Sequence, residues 1–202
     1  MRIACALALF LASVAPAAAA PINVAQGKPV TVTGDLGELV NLCCGWGEPP
    51  VAPLSTITDG LFLAEGHVWQ DGTVWWDEAN AGSLNNIIEI DLGGLFSITQ
   101  FTLQADNNDS YEISYRDAGG TWSVRGTFGD VCCFGMTTRA AMIAPLVASG
   151  VRINALGGDG FYSVSEFQAI GESVPEPATL LLLGTALAAV AARRKLRIGQ
   201  SR

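Results

Sequence analysis

Three groups of side chains in this chain have the types and spacing to do chemistry. The first is the run Asp106-Asn107-Asn108-Asp109. Four oxygen-bearing side chains in a row can bind a cation or hydrogen-bond sugar hydroxyls. They are also what a tight turn favours, because Asn and Asp tolerate left-handed backbone, and the turn is the preferred reading. The second group is Trp46, Trp75 and the sole histidine, His67. Sugar recognition needs a flat apolar face for pyranose C–H bonds and planar polar groups for the hydroxyls. These three residues fall in expected loops and could build such a platform. Trp69, Trp76 and Trp122 read instead as core, strand alternation requires one of Trp75 and Trp76 to point inward, and His67 reads first as a surface loop residue.

The third group is two cysteine doublets, Cys43-Cys44 and Cys132-Cys133. In an oxidising compartment an even number of cysteines points to disulfides. Neighbours bridge each other only through a strained ring, so cross-pairing of the doublets is the expectation. Closing about ninety residues in this way adds ~4 kcal/mol on the chain-entropy model. A four-thiolate zinc site is the alternative, although paired zinc ligands usually have two or more residues between them. Cys-x-x-Cys, which redox catalysis favours, is absent.

Catalysis finds little to work with. A Ser-His-Asp triad has one histidine available, and no serine stands in a nucleophile elbow. No glycine-rich phosphate loop runs into Lys-Ser/Thr. Glycoside hydrolysis needs two paired carboxylates, and no motif selects two from nineteen acidic residues. The expectation is a protein that is not an enzyme.

The elements that must position these residues read as short strands. Ile88, Ile90 and Leu92 alternate with Glu89 and Asp91; Phe101, Leu103 and Ala105 alternate with Thr102 and Gln104. Tyr111, Ile113 and Tyr115 alternate with Glu112, Ser114 and Arg116, and Val151, Ile153 and Ala155 with Arg152 and Asn154. One dry and one wet face is the pattern of antiparallel sheets packed as a sandwich. Gly93-Gly94, Gly119-Gly120 and Gly157-Gly158 are expected turns, and no helical stretch of ten or more residues appears. The fold class is all-β.

Both ends of the chain look like addresses. Arg2, the apolar stretch Ile3 to Val14 and Ala17-Ala18-Ala19-Ala20 form a signal peptide. Cleavage is placed after Ala19 because Pro21 disfavours a cut directly before it, and Cys5 is lost with the signal. Near the other end, Pro175-Glu176-Pro177 precedes an apolar run from Ala178 to Ala192, then Arg193, Arg194, Lys195 and Arg197. Fifteen helical residues reach only ~22 Å, against ~30 Å of hydrocarbon. The segment can pause in a bilayer as a short transmembrane helix but makes a poor permanent anchor. Its trailing positive charges place everything before it outside the cytoplasm. The order of these pieces resembles the PEP-CTERM sorting signal of Gram-negative bacteria that make exopolysaccharide. That resemblance implies recognition and cutting by an exosortase-type membrane protease, after which the protein sits at the cell surface or in the extracellular matrix. An ordinary single-pass anchor is the other reading, though a plain anchor does not need Pro-Glu-Pro. The expected divisions are a signal peptide (1–19), one domain (20–172) and a sorting tail (173–202).

Between residues 20 and 177 there are five basic and nineteen acidic side chains, a net charge of −14. Such a surface repels nucleic acid. It suits solubility in the extracellular space, divalent cations or neutral glycans.

A second resemblance covers about residues 22 to 171. Asn23-Val24-Ala25-Gln26-Gly27-Lys28-Pro29-Val30 opens it, followed by Ile57-Thr58-Asp59-Gly60, Trp69 and Trp75-Trp76. Then come Ile87-Ile88-Glu89-Ile90-Asp91-Leu92-Gly93, Ile98, Phe101, Trp122 and Val151-Arg152-Ile153, and finally Tyr162-Ser163-Val164-Ser165-Glu166-Phe167-Gln168. In that order the series is similar to the coagulation factor 5/8 type C, or discoidin-like, family. The resemblance implies a galactose-binding-like, eight-stranded jelly-roll β-sandwich. It also implies a structural Ca²⁺ held by Asp59 and Glu166, a pairing in keeping with the six to eight oxygens that calcium takes. The second aspartate often found after the Asp-Gly turn is replaced by Leu61, and the alternative is that Asp59 caps its turn while Glu166 lies on a solvated face. Sugar-binding relatives carry a stacking aromatic where Phe161 and Tyr162 follow the Gly157-Gly158-Asp159-Gly160 turn. The candidate glycan set is therefore His67, Trp75, Asn107, Phe161 and Tyr162. Two functions remain open: a module that binds polysaccharide, and a structural or adhesive matrix protein that binds other proteins.

Overall fold

The computed structural model describes residues 20–38, 49–77, 85–174 and 185. The expected signal peptide, Cys43, Cys44, Trp46, Pro175, Glu176, Pro177, Arg193 and Arg194 lie outside the described residues. Among the described residues, no helix is long and apolar enough to cross a membrane.

Among the described residues, eight strands carry the fold: β1 (Ile22–Asn23), β2 (Val30–Thr33), β3 (Val74–Asp77), β4 (Ile87–Asp106), β5 (Ser110–Arg116), β6 (Trp122–Phe128), β7 (Met136–Gly157) and β8 (Phe161–Ser173). A 3-10 turn at Leu54–Thr58 is the one other regular element between residues 20 and 174 that the structure describes. All the strand pairings are antiparallel, in the order β1-β8-β4-β7-β5-β6, with β2 on β4 and β3 on β8. The all-β jelly-roll expectation holds.

Two long strands make the sandwich by serving both layers. The first part of β4, Ile87 to Asp91, pairs with β2 and with Gly150 to Asn154 of β7, which in turn pairs with β5. Its second part, Phe96 to Asp106, pairs with Met136 to Ala148 of β7 and with β8. Register shifts between Asp91 and Phe96 and between Ile98 and Gln100 mark the bend. A bulge of this kind turns a strand without ending it. Gly93-Gly94 was expected to separate two strands; instead it lies inside β4, with Gly93 at φ 72° providing the kink. Gly119-Gly120 does fall between strands, while of Gly157-Gly158 the first residue ends β7 and the second opens the turn.

The alternation read from sequence is the core. Ile88, Ile90, Leu92, Phe101, Leu103, Ala105, Tyr111, Ile113, Val151, Ile153 and Ala155 are all buried in one cluster. Thr102 and Gln104, expected on a wet face, are buried too. β4 is central, paired on both edges here, and the loop after Gly60 covers its outer face. Trp122 departs from expectation in the other direction. It is half-buried on β6, with the Arg152 guanidinium 3.9 Å and that of Arg116 5.6 Å from its ring centre.

Candidate functional site

At one end of the sandwich, loops 61–73, 107–109, 129–135 and 158–160 enclose a pocket of about 250 Å3. Gly66, Val68, Trp69, Asn108, Phe134 and Asp159 line it. Its area is largely apolar, with one amide and one carboxylate, and among the described residues no lining side chain is cationic.

Each wall is pinned by a buried polar residue. Gln104, fully buried on β4, accepts the Leu63 N–H at 2.8 Å and donates to the Leu63 carbonyl at 3.0 Å and to Thr138 Oγ1 at 3.0 Å. Ser165 Oγ donates to the same Gln104 oxygen at 2.7 Å. The Glu65 carboxylate takes Thr137 Oγ1 at 2.9 Å and the Thr138 N–H at 3.1 Å. Hydrogen bonding, first to the Thr138 side chain and then to Thr137 and the Thr138 backbone, holds its pKa below the usual value against the pull of burial. Gly66 and His67 then exchange backbone bonds with Met136, each 2.8 Å long. So tight is this approach that a Cβ on Gly135 would sit 3.0 Å from the carbonyl oxygens of both Gly66 and His67, at a φ of 98° that only glycine adopts readily.

The second wall is the β4–β5 hairpin. Asp106 Oδ1 accepts the N–H groups of Asn107 at 2.8 Å and Gly135 at 3.0 Å. Asp109 Oδ1 accepts the Asp159 N–H at 3.3 Å, and the Tyr111 hydroxyl donates to its Oδ2 at 3.3 Å. Burial pushes the Asp106 carboxyl up to about 7 and the Asp109 carboxyl up to about 8, and the neighbouring Asp159 charge adds to both. Arg139 bonds no carboxylate here. Its guanidinium donates to the carbonyls of Asp109 at 2.8 Å, Gly129 at 2.9 Å and Asp106 at 2.8 Å, and lies 5.4 Å from the Tyr111 ring centre.

Of the expected glycan set, Asn107 belongs to this hairpin and is not among the lining residues; its Nδ2 donates to the Phe134 carbonyl at 3.4 Å. His67 sits in the neighbouring loop, its Nε2 3.0 Å from the Asp71 carbonyl. Trp75 was expected in a loop; it is in β3 and only 2% exposed. All four residues of β3 are buried, because loops cover the face that alternation would leave wet. Trp75 instead backs Trp69, edge to face at 5.6 Å. Phe161 is half-buried against Trp69 at 5.6 Å. Tyr162 is buried and stacks on Trp76 at 5.7 Å, so it is core. Sequence reasoning missed Phe134 and Asp159; Trp69, expected in the core, is buried there and also backs the pocket. The signals were an aspartate at the tip of a glycine turn and an aromatic directly after a cysteine doublet. Asn108 stood in the run already singled out, and its Nδ2 donates to Asp159 Oδ2 at 2.7 Å.

Cys132 and Cys133 form a disulfide with each other. The expectation was a link between doublets. The turn before Gly135 changes that, since Cys133 takes a positive φ of 70° and the two adjacent side chains come together.

Asp59 and Glu166 meet although 107 positions apart. Glu166, expected on a solvated face in the alternative reading, is completely buried. Its Oε2 accepts the Gly60 N–H at 3.1 Å, while its Oε1 is buried without a partner. Burial pushes its carboxyl up to about 7, and Asp59 adds to the effect. Asp59 is exposed and caps its own turn, accepting the Leu61 N–H at 2.8 Å.

The PEP-CTERM protein-sorting motif matches residues 173–195, and such a motif implies export and sorting by way of the membrane to the cell surface. No curated protein matches the chain in sequence. Solved structures share its fold. A CBM32 module of Clostridium perfringens, in complex with GlcNAc-α-1,4-galactose, is 16% identical with a TM-score of 0.50, over 76% of this chain and 96% of that one. A fucose-binding module of Streptococcus pneumoniae is 12% identical with a TM-score of 0.51, over 75% and 96%. A second CBM32 module of Clostridium perfringens, in complex with GalNAc-β-1,3-galactose, is 18% identical with a TM-score of 0.51, over 74% and 99%. The class defined here is an all-β, discoidin-like jelly-roll fold, similar to that of these modules, on a chain whose residues 173–195 match the PEP-CTERM sorting motif.

Proposed function

We propose that this chain is a non-catalytic carbohydrate-binding protein, exported, processed by an exosortase-type protease and retained in the exopolysaccharide layer of a Gram-negative bacterium. The observation that carries the reading is the loop-end pocket, where Trp69 and Phe134 stand beside the planar groups of Asn108 and Asp159. Apolar rings with a few fixed polar groups are what a sugar ring requires. At about 250 Å3 the pocket is smaller than the roughly 300–1,000 Å3 typical for drug-sized ligands, which suits one sugar residue.

The test is a bacterial glycan array probed with the full chain and with Phe134→Ala. Phe134 is 79% exposed, so its removal leaves the fold intact. Binding that falls about tenfold or more in the variant supports the reading. Silence across the array would favour a matrix protein that binds other proteins, and released sugar would show a hydrolase.

A structural Ca²⁺ at Asp59 and Glu166 is part of the proposal. The residues fit: a dehydrated carboxylate has one oxygen without a partner, and a second carboxylate lies close enough to raise its pKa. A divalent cation supplies the charge that would keep both ionised.

A further inference from the structure

Resting on the carbohydrate-binding reading, we infer that the pocket selects sugars bearing a free, protonated amino group over N-acetylated and uronic acid sugars. Asp159 is exposed at the pocket wall, and both of its oxygens are already held in place. Its Oδ2 accepts Asn108 Nδ2 at 2.7 Å and its Oδ1 accepts the Phe161 N–H at 3.0 Å. A carboxylate fixed in this way loses little freedom on meeting a ligand ammonium, and each oxygen keeps a lone pair to accept from one. Phe134, exposed at the pocket wall, favours a cation as well, since an ammonium is drawn to an aromatic face.

Among the described residues, no cationic side chain pairs with Asp159. Arg139, on β7, directs its guanidinium to three backbone carbonyls and the Tyr111 ring instead. His67 turns its Nε2 to Asp71. Asp106 and Asp109 stand close enough to Asp159 to feel its charge. A uronate entering here would meet the Asp159 carboxylate, within a segment (residues 20–177) whose net charge is −14. An N-acetyl group would bring a neutral amide in place of the ammonium and forfeit the ion pair, in which both donor and acceptor are charged.

The experiment compares glucosamine oligomers, their N-acetylated counterparts and oligouronates of equal length, by calorimetry with the full chain at about pH 6, where the sugar amine is protonated. The amine form should bind about tenfold tighter than the acetylated form, and the uronates should not bind. Raising salt to about 0.5 M should narrow the gap. Asp159→Asn should weaken binding of the amine form far more than that of the acetylated form and so close the gap. Equal or tighter binding of acetylated or uronate oligomers, or a preference unmoved by both salt and Asp159→Asn, overturns the inference and spares the parent reading. Absence of binding to any sugar here or on the array overturns both.

Discussion

Arg139 satisfies three carbonyls from two loops at once, a geometry that needs the planar fork of a guanidinium. Lysine offers only a point charge and cannot reproduce it. Arg139→Lys should therefore lose stability by about 2–3 kcal/mol in urea titrations, and retention of full stability would show the three bonds to be incidental. Gly135 is fixed by a different limit. Gly135→Ala must place a methyl group against two carbonyl oxygens at a left-handed φ, and should cost about 1–3 kcal/mol. Cysteine chemistry is also local: a peptide map of the oxidised protein should return Cys132 and Cys133 as one oxidised pair. A peptide joining either of them to Cys43 or Cys44 would contradict this. The cysteine types and count were legible in the sequence, but which sulfurs meet depends on the φ of Cys133.

The β4–β5 hairpin shows how an element couples the pocket to pH. Asp106 and Asp109 are pushed up from the ordinary carboxyl range near 4 to about 7 and about 8, so the folded state holds protons that the unfolded chain has released. Stability contributed by the neutral carboxyls is full below about pH 4 and is lost as pH rises through the folded values. The melting temperature should fall between about pH 5 and pH 8, and Asp109→Asn, neutral at every pH, should flatten that slope. A melting temperature that rises across this window would refute the assignment. The groups facing these carboxyls are Tyr111, Arg139 and Asp159, with Asp130 near Arg139. Strand β4 carries a second lesson. Its alternating pattern gave the strand and its inward face correctly, yet Gln104 on the supposedly wet face became the clamp for Leu63. Period two says which side chains share a face; it does not say whether a loop later covers the other one. The same limit explains why Trp75 is interior when a loop position was expected.

At the scale of the whole molecule, the fold joins positions far apart in the chain. Asp59 and Glu166 come from opposite ends of the domain, and Glu166 keeps a buried oxygen without a partner. If calcium completes that site, EDTA should lower the melting temperature, and a hundredfold excess over the dissociation constant should restore about 2.7 kcal/mol. Asp59→Ala should abolish the difference; a melt unchanged by EDTA in the parent protein removes calcium from the account.

The sequence by itself determined the all-β class, the inward faces of the strands and the sorting motif. Each depends on near neighbours: alternation repeats every two residues, and a terminal signal is read as a linear segment. The pocket was decided only by tertiary structure. Its walls come from four loops separated by up to about ninety residues, brought together when long strands bend across two layers. Burial then set which of many Asp, Asn and aromatic residues face the opening, and composition carries no record of that choice.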